Sequence, residues 1–175
     1  FEPMFAGYGG EVLYKPFDKT FGIGAELWNV QQRSFRQLLG FRQYGTVTGH
    51  FNFYYREPIS RVLLQIKAGR FLAEDSGFTF NFSREFKSGL NMGVFFSLTD
   101  ISKAEFGEGS FDKGFYFNIP IQVFFDQYSR GTSGFGLRPL TRDGAQALIH
   151  AQSLWSTTYQ ANKSRVVHDW EGFYD

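Results

Sequence analysis

The twelve residues that decide the fold are 114–125, GFYFNIPIQVFF. One set of side chains alternates with another throughout the stretch: Phe115, Phe117, Ile119, Ile121, Val123 and Phe125 against Gly114, Tyr116, Asn118, Pro120, Gln122 and Phe124. A period of two places the two sets on opposite faces of a β-strand. The stretch is also as long as the ~9–11 residues that a tilted strand needs to cross a bilayer. It therefore predicts a long strand with one strongly apolar face.

Seven further segments follow the same alternation. They cover residues 4–14, 20–29, 46–55, 62–69, 78–83, 89–98 and, more weakly, 133–139. The connections between them differ in length: residues 15–19, 57–60 and 87–89 are tight, 71–76 is intermediate, and 30–45 and 99–113 are long. Tight turns at one end and long loops at the other are typical of outer-membrane barrels. The pattern predicts an all-β fold of about eight antiparallel strands.

Composition favours a membrane barrel over a soluble β-fold. The chain holds 23 Phe, 9 Tyr and 3 Trp, yet its mean hydropathy is only −0.29. A soluble sandwich or lipocalin-like barrel also alternates, but its apolar face points inward, and so many rings would overfill a small interior. Facing lipid, the same rings have no such volume limit. We therefore expect an antiparallel transmembrane β-barrel, located in the bacterial outer membrane and in contact with its lipid.

Charge and cysteine content exclude other classes of protein. A formal net charge of +1 argues against nucleic acid as a partner, because binding to phosphates needs a basic excess. The absence of cysteine removes disulfides and thiol chemistry. No run of about 18 apolar residues predicts a membrane-spanning helix. The chain begins at Phe1 without an initiator Met, which suggests a mature or cut product.

The pattern changes after residue 140, so we divide the chain into strands over 1–140 and a C-terminal helix and tail over 141–175. Asp143 and Gln146 resemble a capping box. Leu148, Ala151, Trp155 and Tyr159 follow at near-helical spacing, which predicts a helix over about 144–160. If each of the eight strands crosses the membrane once, the eighth ends on the side of the long loops, whereas barrel termini normally lie on the side of the tight turns. The tail then returns as a strand, the helix enters the lumen, or one crossing is miscounted.

Several charged and polar residues fall on the predicted inner face: Glu11, Glu26, His50, Asn52, Lys67, Glu85 and Arg138. Two interpretations stay open. The residues form ion-pair networks inside the lumen, or they hydrate and sort a polar solute such as a saccharide. His50 could serve a hydrolase, but no serine stands at a diagnostic spacing and no Gly-x-Ser-x-Gly motif is present. We therefore name no catalytic residue.

The loop between the sixth and seventh strands carries a second group of charges: Asp100, Glu105, Glu108, Asp112 and Lys113. The four carboxylates could supply oxygen ligands for Ca²⁺, but their spacing does not match an EF-hand. A solvated or ion-paired loop is the favoured interpretation. The glycines near the N-terminus are not a dinucleotide fingerprint, because no βαβ unit follows them. We predict no metal site and no cofactor.

Five stretches carry a family resemblance: FEPMFAGYGGEVLY (1–14), VTGHFNFYY (47–55), QIKAGRFLAEDSGFTFNFSRE (65–85), TDISKAEFGEGSFDKGFYFNIP (99–120) and RPLTRDG (138–144). The chain resembles the C-terminal part of the YjbH-like (YjbH/GfcD) outer-membrane proteins. The motif from Glu105 to Phe115, EFGEGSFDKGF, is long and unusual enough to make chance similarity improbable. The resemblance implies an outer-membrane lipoprotein family associated with exopolysaccharide production, and it implies no catalytic residues. Family members are much longer, which implies that the chain is a piece of a larger barrel.

Three functional hypotheses follow. The first is a non-enzymatic barrel segment that assists exopolysaccharide export or surface assembly. The second is an outer-membrane enzyme that acts on lipid or glycan. The third is a structural barrel that serves as a scaffold for secretion partners. The expected partners are lipid, exopolysaccharide, periplasmic secretion proteins and the remainder of the same barrel.

Overall fold

The computed structural model describes residues 4–35, 40–86, 88–102, 111–121, 132–139, 144–149 and 153–159. Eight strands form one sheet: β1 (Phe5–Tyr14), β2 (Phe21–Arg33), β3 (Phe41–Arg56), β4 (Val62–Arg70), β5 (Ser76–Glu85), β6 (Asn91–Thr99), β7 (Asp112–Pro120) and β8 (Thr132–Leu137). A short helix, α1 (Leu154–Tyr159), follows. No helix of the described ranges is long and apolar enough to cross a membrane.

The strands lie in chain order, and every neighbouring pair is antiparallel. This meander confirms the predicted all-β antiparallel class and the eight strands. Within the described ranges β1 and β8 each pair with one neighbour only, so they are the two edges of an open sheet. Closure into a barrel stays a prediction.

The connections define two ends of the sheet. Residues 15–20, 57–61 and 86–90 join strands at one end, called here the short-turn end. Residues 34–40, 71–75 and 100–111 join them at the other, called the long-loop end. In the turn between β3 and β4 the Glu57 carboxylate accepts hydrogen bonds from Ile59 N at 3.0 Å, from Ser60 Oγ at 2.6 Å and from Ser60 N. This carboxylate therefore closes the turn.

The sheet has one polar face and one apolar face, because cross-strand partners share a side. The register pairs Glu11 with Glu26, Glu26 with His50 and Asn52 with Lys67. The same face continues from Lys67 through Thr79 and Ser97 to Asp112. All of these side chains consequently point to one side.

The polar face is the covered one. On β3, Thr46, Thr48, His50, Asn52 and Tyr54 are 0–5% exposed. The intervening Val47, Phe51, Phe53 and Tyr55 are 38–74% exposed. Large apolar side chains are likewise exposed on β1, β2 and β5–β8. The sheet is therefore inverted relative to a soluble protein, whose apolar face is buried.

The segment after β8 runs back across the polar face. Near the long-loop end, Leu72 N donates to Gln146 O at 2.9 Å and Ala145 N donates to Asp75 Oδ2 at 2.7 Å. At the short-turn end, Lys15 Nζ donates to Thr158 O at 3.1 Å. Residues 144–149 and 153–159, called here the return segment, therefore reach from one end of the sheet to the other. The helix α1 lies on the polar side of the sheet, and residues 160–175, where a return strand was the other option for the tail, lie outside the described ranges.

Three predicted boundaries were wrong. The connection 30–45 is shorter, because β2 continues to Arg33 and β3 begins at Phe41, with a bulge between Gln31 and Arg33. The strand predicted to reach residue 125 ends at Pro120, and residues 122–125 lie outside the described ranges. Pro120 cannot donate to a neighbouring strand, which favours an end there.

The helix predicted over 144–160 is confined to Leu154–Tyr159 within the described ranges. Gly144 and Ala145 have positive φ angles of 111° and 54°, which a right-handed helix does not accept. Hydrogen bonds to Leu72 and Asp75 take the backbone groups of Ala145 and Gln146 instead. Asp143, the first residue of the suggested capping box, lies outside the described ranges.

Candidate functional site

Glu26 is the centre of a buried polar cluster on β2, β3 and β4. Its Oε1 lies 3.0 Å from His50 Nδ1 and accepts a hydrogen bond from Lys67 Nζ at 2.9 Å. Trp28 Nε1 donates to Oε2 at 3.4 Å. The antiparallel register brings the three strands into this contact, since Glu26 lies opposite His50, and Lys67 lies opposite Asn52, the next residue of β3 on the same face. The cluster is a charge-paired network inside the polar face.

The position of His50 determines what chemistry it can do. A carboxylate only accepts, so the short contact with Glu26 requires the proton on Nδ1. The ring packs edge-on against Phe71 at a centroid distance of 4.8 Å, and Phe71 is fully buried. Nε2 is buried and has no hydrogen-bond partner among the described residues. A Glu–His pair is therefore present, but a phenyl ring, and no described hydroxyl, lies against it.

A second cluster lies at the short-turn end, where α1 meets the sheet. The Trp155 ring lies flat on Tyr54, with a centroid distance of 4.0 Å and an interplanar angle of 2°. Lys15 Nζ is 4.7 Å from the centre of the Trp155 ring. On the other side, Leu154 N donates to Glu11 Oε2 at 2.9 Å. We call Tyr54, Gly22, Lys15 and Glu11 the aromatic platform.

Glycine at position 22 is required by the close approach of this indole. A Cβ at Gly22 would lie 2.9 Å from Trp155 Cζ3, closer than real side chains pack. Burial, and then the nearby Arg56, lower the pKa of Lys15 below its usual range. Gly22 of β2 lies opposite Tyr54 of β3, so the missing side chain at Gly22 leaves room for a flat ring stacked on Tyr54.

The polar face of β5–β8 carries a third group of contacts. Arg138 makes a two-point ion pair with Asp112, with Nε 2.9 Å from Oδ1, and it lies over the Phe95 ring at 5.6 Å. Tyr116 OH donates to Asn81 Oδ1 at 3.2 Å, and Thr79 and Ser97 share a 2.8 Å hydrogen bond. These side chains connect the four strands across the polar face.

The seven predicted inner-face residues all lie on the polar face, but in separate contacts. Glu26, His50 and Lys67 form one cluster, with Asn52 buried beside it. Glu11 lies at the aromatic platform. Glu85 pairs with Arg56 at 3.8 Å, and Arg138 pairs with Asp112. Their role in a lumen or toward a solute stays a prediction.

The predicted loop motif is divided by the structure. Asp100 Oδ1 accepts a hydrogen bond from Ser76 N at 2.8 Å, and Lys113 Nζ lies 4.5 Å from the centre of the Phe111 ring. Asp112 and Lys113 belong to β7, so neither is a loop residue, and Asp112 is paired with Arg138. Glu105 and Glu108 lie outside the described ranges. Within those ranges no group of three or more His, Asp or Glu side chains could hold a metal ion.

Sequence reasoning missed the aromatic platform. The alternation of β3 puts Tyr54 on the same face as His50 and Asn52, and the spacing of Trp155 indicates only a helix. Nothing local connects residues about a hundred positions apart. The one available signal was Gly22 at a polar-face position, because glycine in a strand often marks close packing.

The fold is an antiparallel meander with one charged, polar face. Its other face is the exposed apolar one, rich in aromatic side chains, and is called here the outer face. The chain belongs to the YjbH family: a family model described as "Exopolysaccharide biosynthesis protein YbjH" matches residues 1–160. This confirms the resemblance seen in the quoted motifs. The chain is also 37% identical over 161 residues to the "Uncharacterized lipoprotein YjbH" of Escherichia coli (strain K12). The match covers 90% of this chain but 23% of that protein, and no solved structure matches.

Proposed function

We propose that this chain is part of the wall of an outer-membrane β-barrel that assists exopolysaccharide export or surface assembly without catalysis. The inverted sheet carries the proposal: on β3 the polar side chains are buried and the intervening aromatic ones are exposed. Fully burying one large apolar side chain gains about 1.5–3 kcal/mol. Hydrocarbon around the apolar face therefore stabilises the sheet, whereas contact between this face and water is unfavourable.

The open edges support a larger wall. β1 and β8 have one paired side each among the described residues, and unpaired strand edges do not occur in the hydrocarbon of a membrane. The relative from Escherichia coli is much longer than the matched region. We propose that further strands of the whole protein complete the barrel. The word lipoprotein in that relative's name is consistent with a membrane location.

The family description supports the exopolysaccharide part of the proposal. A polar face lined with paired charges, amides and hydroxyls is suited to a hydroxyl-rich polymer. The enzymatic alternative would rest on the Glu26–His50 pair, which lies against Phe71 and whose His50 Nε2 has no hydrogen-bond partner among the described residues. The scaffold alternative would require partner binding without passage or binding of glycan.

Reconstituted full-length protein tests this function. We expect heat-modifiable migration in detergent and, in liposomes, passage or binding of the purified exopolysaccharide. Protein-free liposomes and a glycan of unrelated structure are the controls. A folded, heat-modifiable protein that neither passes nor binds the polysaccharide would contradict the role, and migration unchanged by boiling would contradict the barrel.

A further inference from the structure

The aromatic platform is an enclosed site whose occupant belongs to the same chain. Trp155 is only 8% exposed and lies flat on Tyr54. Its indole fills the space that Gly22 leaves open. The platform therefore accommodates a flat ring of about this thickness, held against one aromatic face.

The polar groups around the platform are satisfied by the backbone of the return segment. Glu11 accepts from Leu154 N at 2.9 Å, and Lys15 donates to Thr158 O at 3.1 Å. Both partners are ordinary backbone groups. A ligand that supplies one donor and one acceptor at the rim of a flat ring could replace both hydrogen bonds.

We infer that the aromatic platform is a saccharide-binding site which the return segment occupies in cis. A pyranose ring has C–H groups on its face and hydroxyls at its rim, so it can stack on Tyr54 while exchanging hydrogen bonds with Glu11 and Lys15. Binding sites of this kind combine an aromatic surface with a few polar groups that fix orientation. The inference deepens the proposed function, on which it rests, by naming the residues that contact the glycan.

Competition between the segment and the glycan has a measurable consequence. When a site is free for only a fraction of the time, the apparent dissociation constant exceeds the intrinsic one by the inverse of that fraction. Displacing Trp155 should therefore tighten saccharide binding.

The test uses full-length protein in detergent and, as probe, fluorescent oligosaccharides made by partial hydrolysis of the exopolysaccharide. We expect Trp155→Ala to bind the probe about tenfold or more tightly than wild type. Adding Gly22→Val to Trp155→Ala should abolish this gain, because the new side chain fills the space that the stacked ring needs. Adding Tyr54→Leu to Trp155→Ala should abolish the gain. Phe51→Leu, on the outer face of the same strand, should bind like wild type.

The outcomes separate this inference from the proposed function. Heat-modifiable migration shows for each variant that the barrel is folded. A folded Trp155→Ala protein that binds the probe no better than wild type would overturn the inference and leave the barrel intact. A gain that survives Tyr54→Leu would also overturn it, since the platform would not be the site. A gain that depends on Tyr54 in a protein without barrel behaviour would support the site and contradict the proposed function.

Discussion

At the scale of single residues, Glu26 is a buried carboxylate with three side-chain partners. Its carboxylate meets His50, Lys67 and the Trp28 indole at once, and its side chain is 4% exposed. A buried carboxylate is tolerated only where donors replace water. Removing one partner of a buried ion pair is more harmful than removing both, because the remaining charge is left unpaired.

Glu26→Gln should therefore lower the free energy of unfolding of the full-length protein by about 3 kcal/mol. Glutamine keeps the shape of the side chain but leaves the Lys67 ammonium without a counter-ion. Urea unfolding of the protein in lipid vesicles, followed by tryptophan fluorescence, measures the change.

Lys19→Gln, in an exposed turn, is the control and should leave the urea midpoint unchanged. A Glu26→Gln protein as stable as this control would show that the buried pair contributes nothing to the fold.

The turn residue Glu57 gives stability a defined dependence on pH. Hydrogen bonds from the Ser60 hydroxyl, and then from the backbone of Ser60 and Ile59, hold the pKa of its carboxyl below the ordinary value of 4.5. A lowered folded-state pKa stabilises the protein above the unfolded pKa, and this contribution is lost as the pH falls through the folded value.

The difference in free energy of unfolding between wild type and Glu57→Gln should consequently be constant above pH 4.5 and shrink below it. Urea unfolding at a series of pH values measures this difference. A difference that grows on acidification would mean that the carboxylate does not cap the turn.

At the scale of elements, the return segment depends on a small number of tertiary contacts. Asp75 accepts a hydrogen bond from Ala145 N, and Leu72 N donates one to the carbonyl oxygen of Gln146. Asp75 is 6% exposed, so this hydrogen bond lies out of water. The segment is short and its helix has only six residues, so its order comes from the sheet and not from helix propensity.

Asp75→Ala should detach residues 144–149 of the return segment, because Ala145 N–H loses its hydrogen-bond acceptor. An unpaired buried N–H costs about 1–3 kcal/mol. We expect faster hydrogen exchange at the amides of Leu72 and Ala145, measured by mass spectrometry of peptides from the full-length protein. Ser88→Ala, in a turn at the opposite end of the sheet, serves as the matched control. Unchanged protection at both amides in Asp75→Ala would contradict the described docking.

Sequence periodicity predicted the strands well because each alternates locally. It also placed Glu26, His50 and Lys67 on one side, since parity alone determines the face. It did not predict that the three meet, because this depends on the register between strands. It missed the extension of β2 and β3 as well, since Gln31, Gln32, Arg42 and Gln43 interrupt the apolar pattern.

The helix was overestimated for a related reason. The spacing of Leu148, Ala151, Trp155 and Tyr159 satisfies a helical template, but the same template cannot detect the contacts of Ala145 and Gln146 with the loop 71–75. Long-range hydrogen bonds determine the backbone there. Sequence patterns do not predict the aromatic platform for the same reason, because it depends on a contact between Tyr54 and Trp155, which are far apart in the sequence.

At the scale of the whole molecule, the polarity of the two faces decides the environment. Leu27, Phe51, Val94 and Phe115 are all at least 43% exposed on the outer face, whereas Thr48, His50, Ser97 and Asp112 on the polar face are at most 4% exposed. Water around so many apolar side chains is unfavourable, and hydrocarbon is not. We therefore propose that the outer face contacts lipid.

The most direct test places a spin label on single cysteines introduced into this chain, which contains none of its own, in full-length protein with any free cysteine outside the chain replaced by serine. Phe51→Cys and Val94→Cys report on the outer face, and Ile59→Cys, in a turn and 93% exposed, is the aqueous control. In full-length protein in vesicles, labels at 51 and 94 should collide with apolar oxygen far more than with a water-soluble nickel chelate, and the label at 59 should show the reverse. Ready access of the nickel chelate to positions 51 and 94 in a folded protein would contradict a lipid-facing wall.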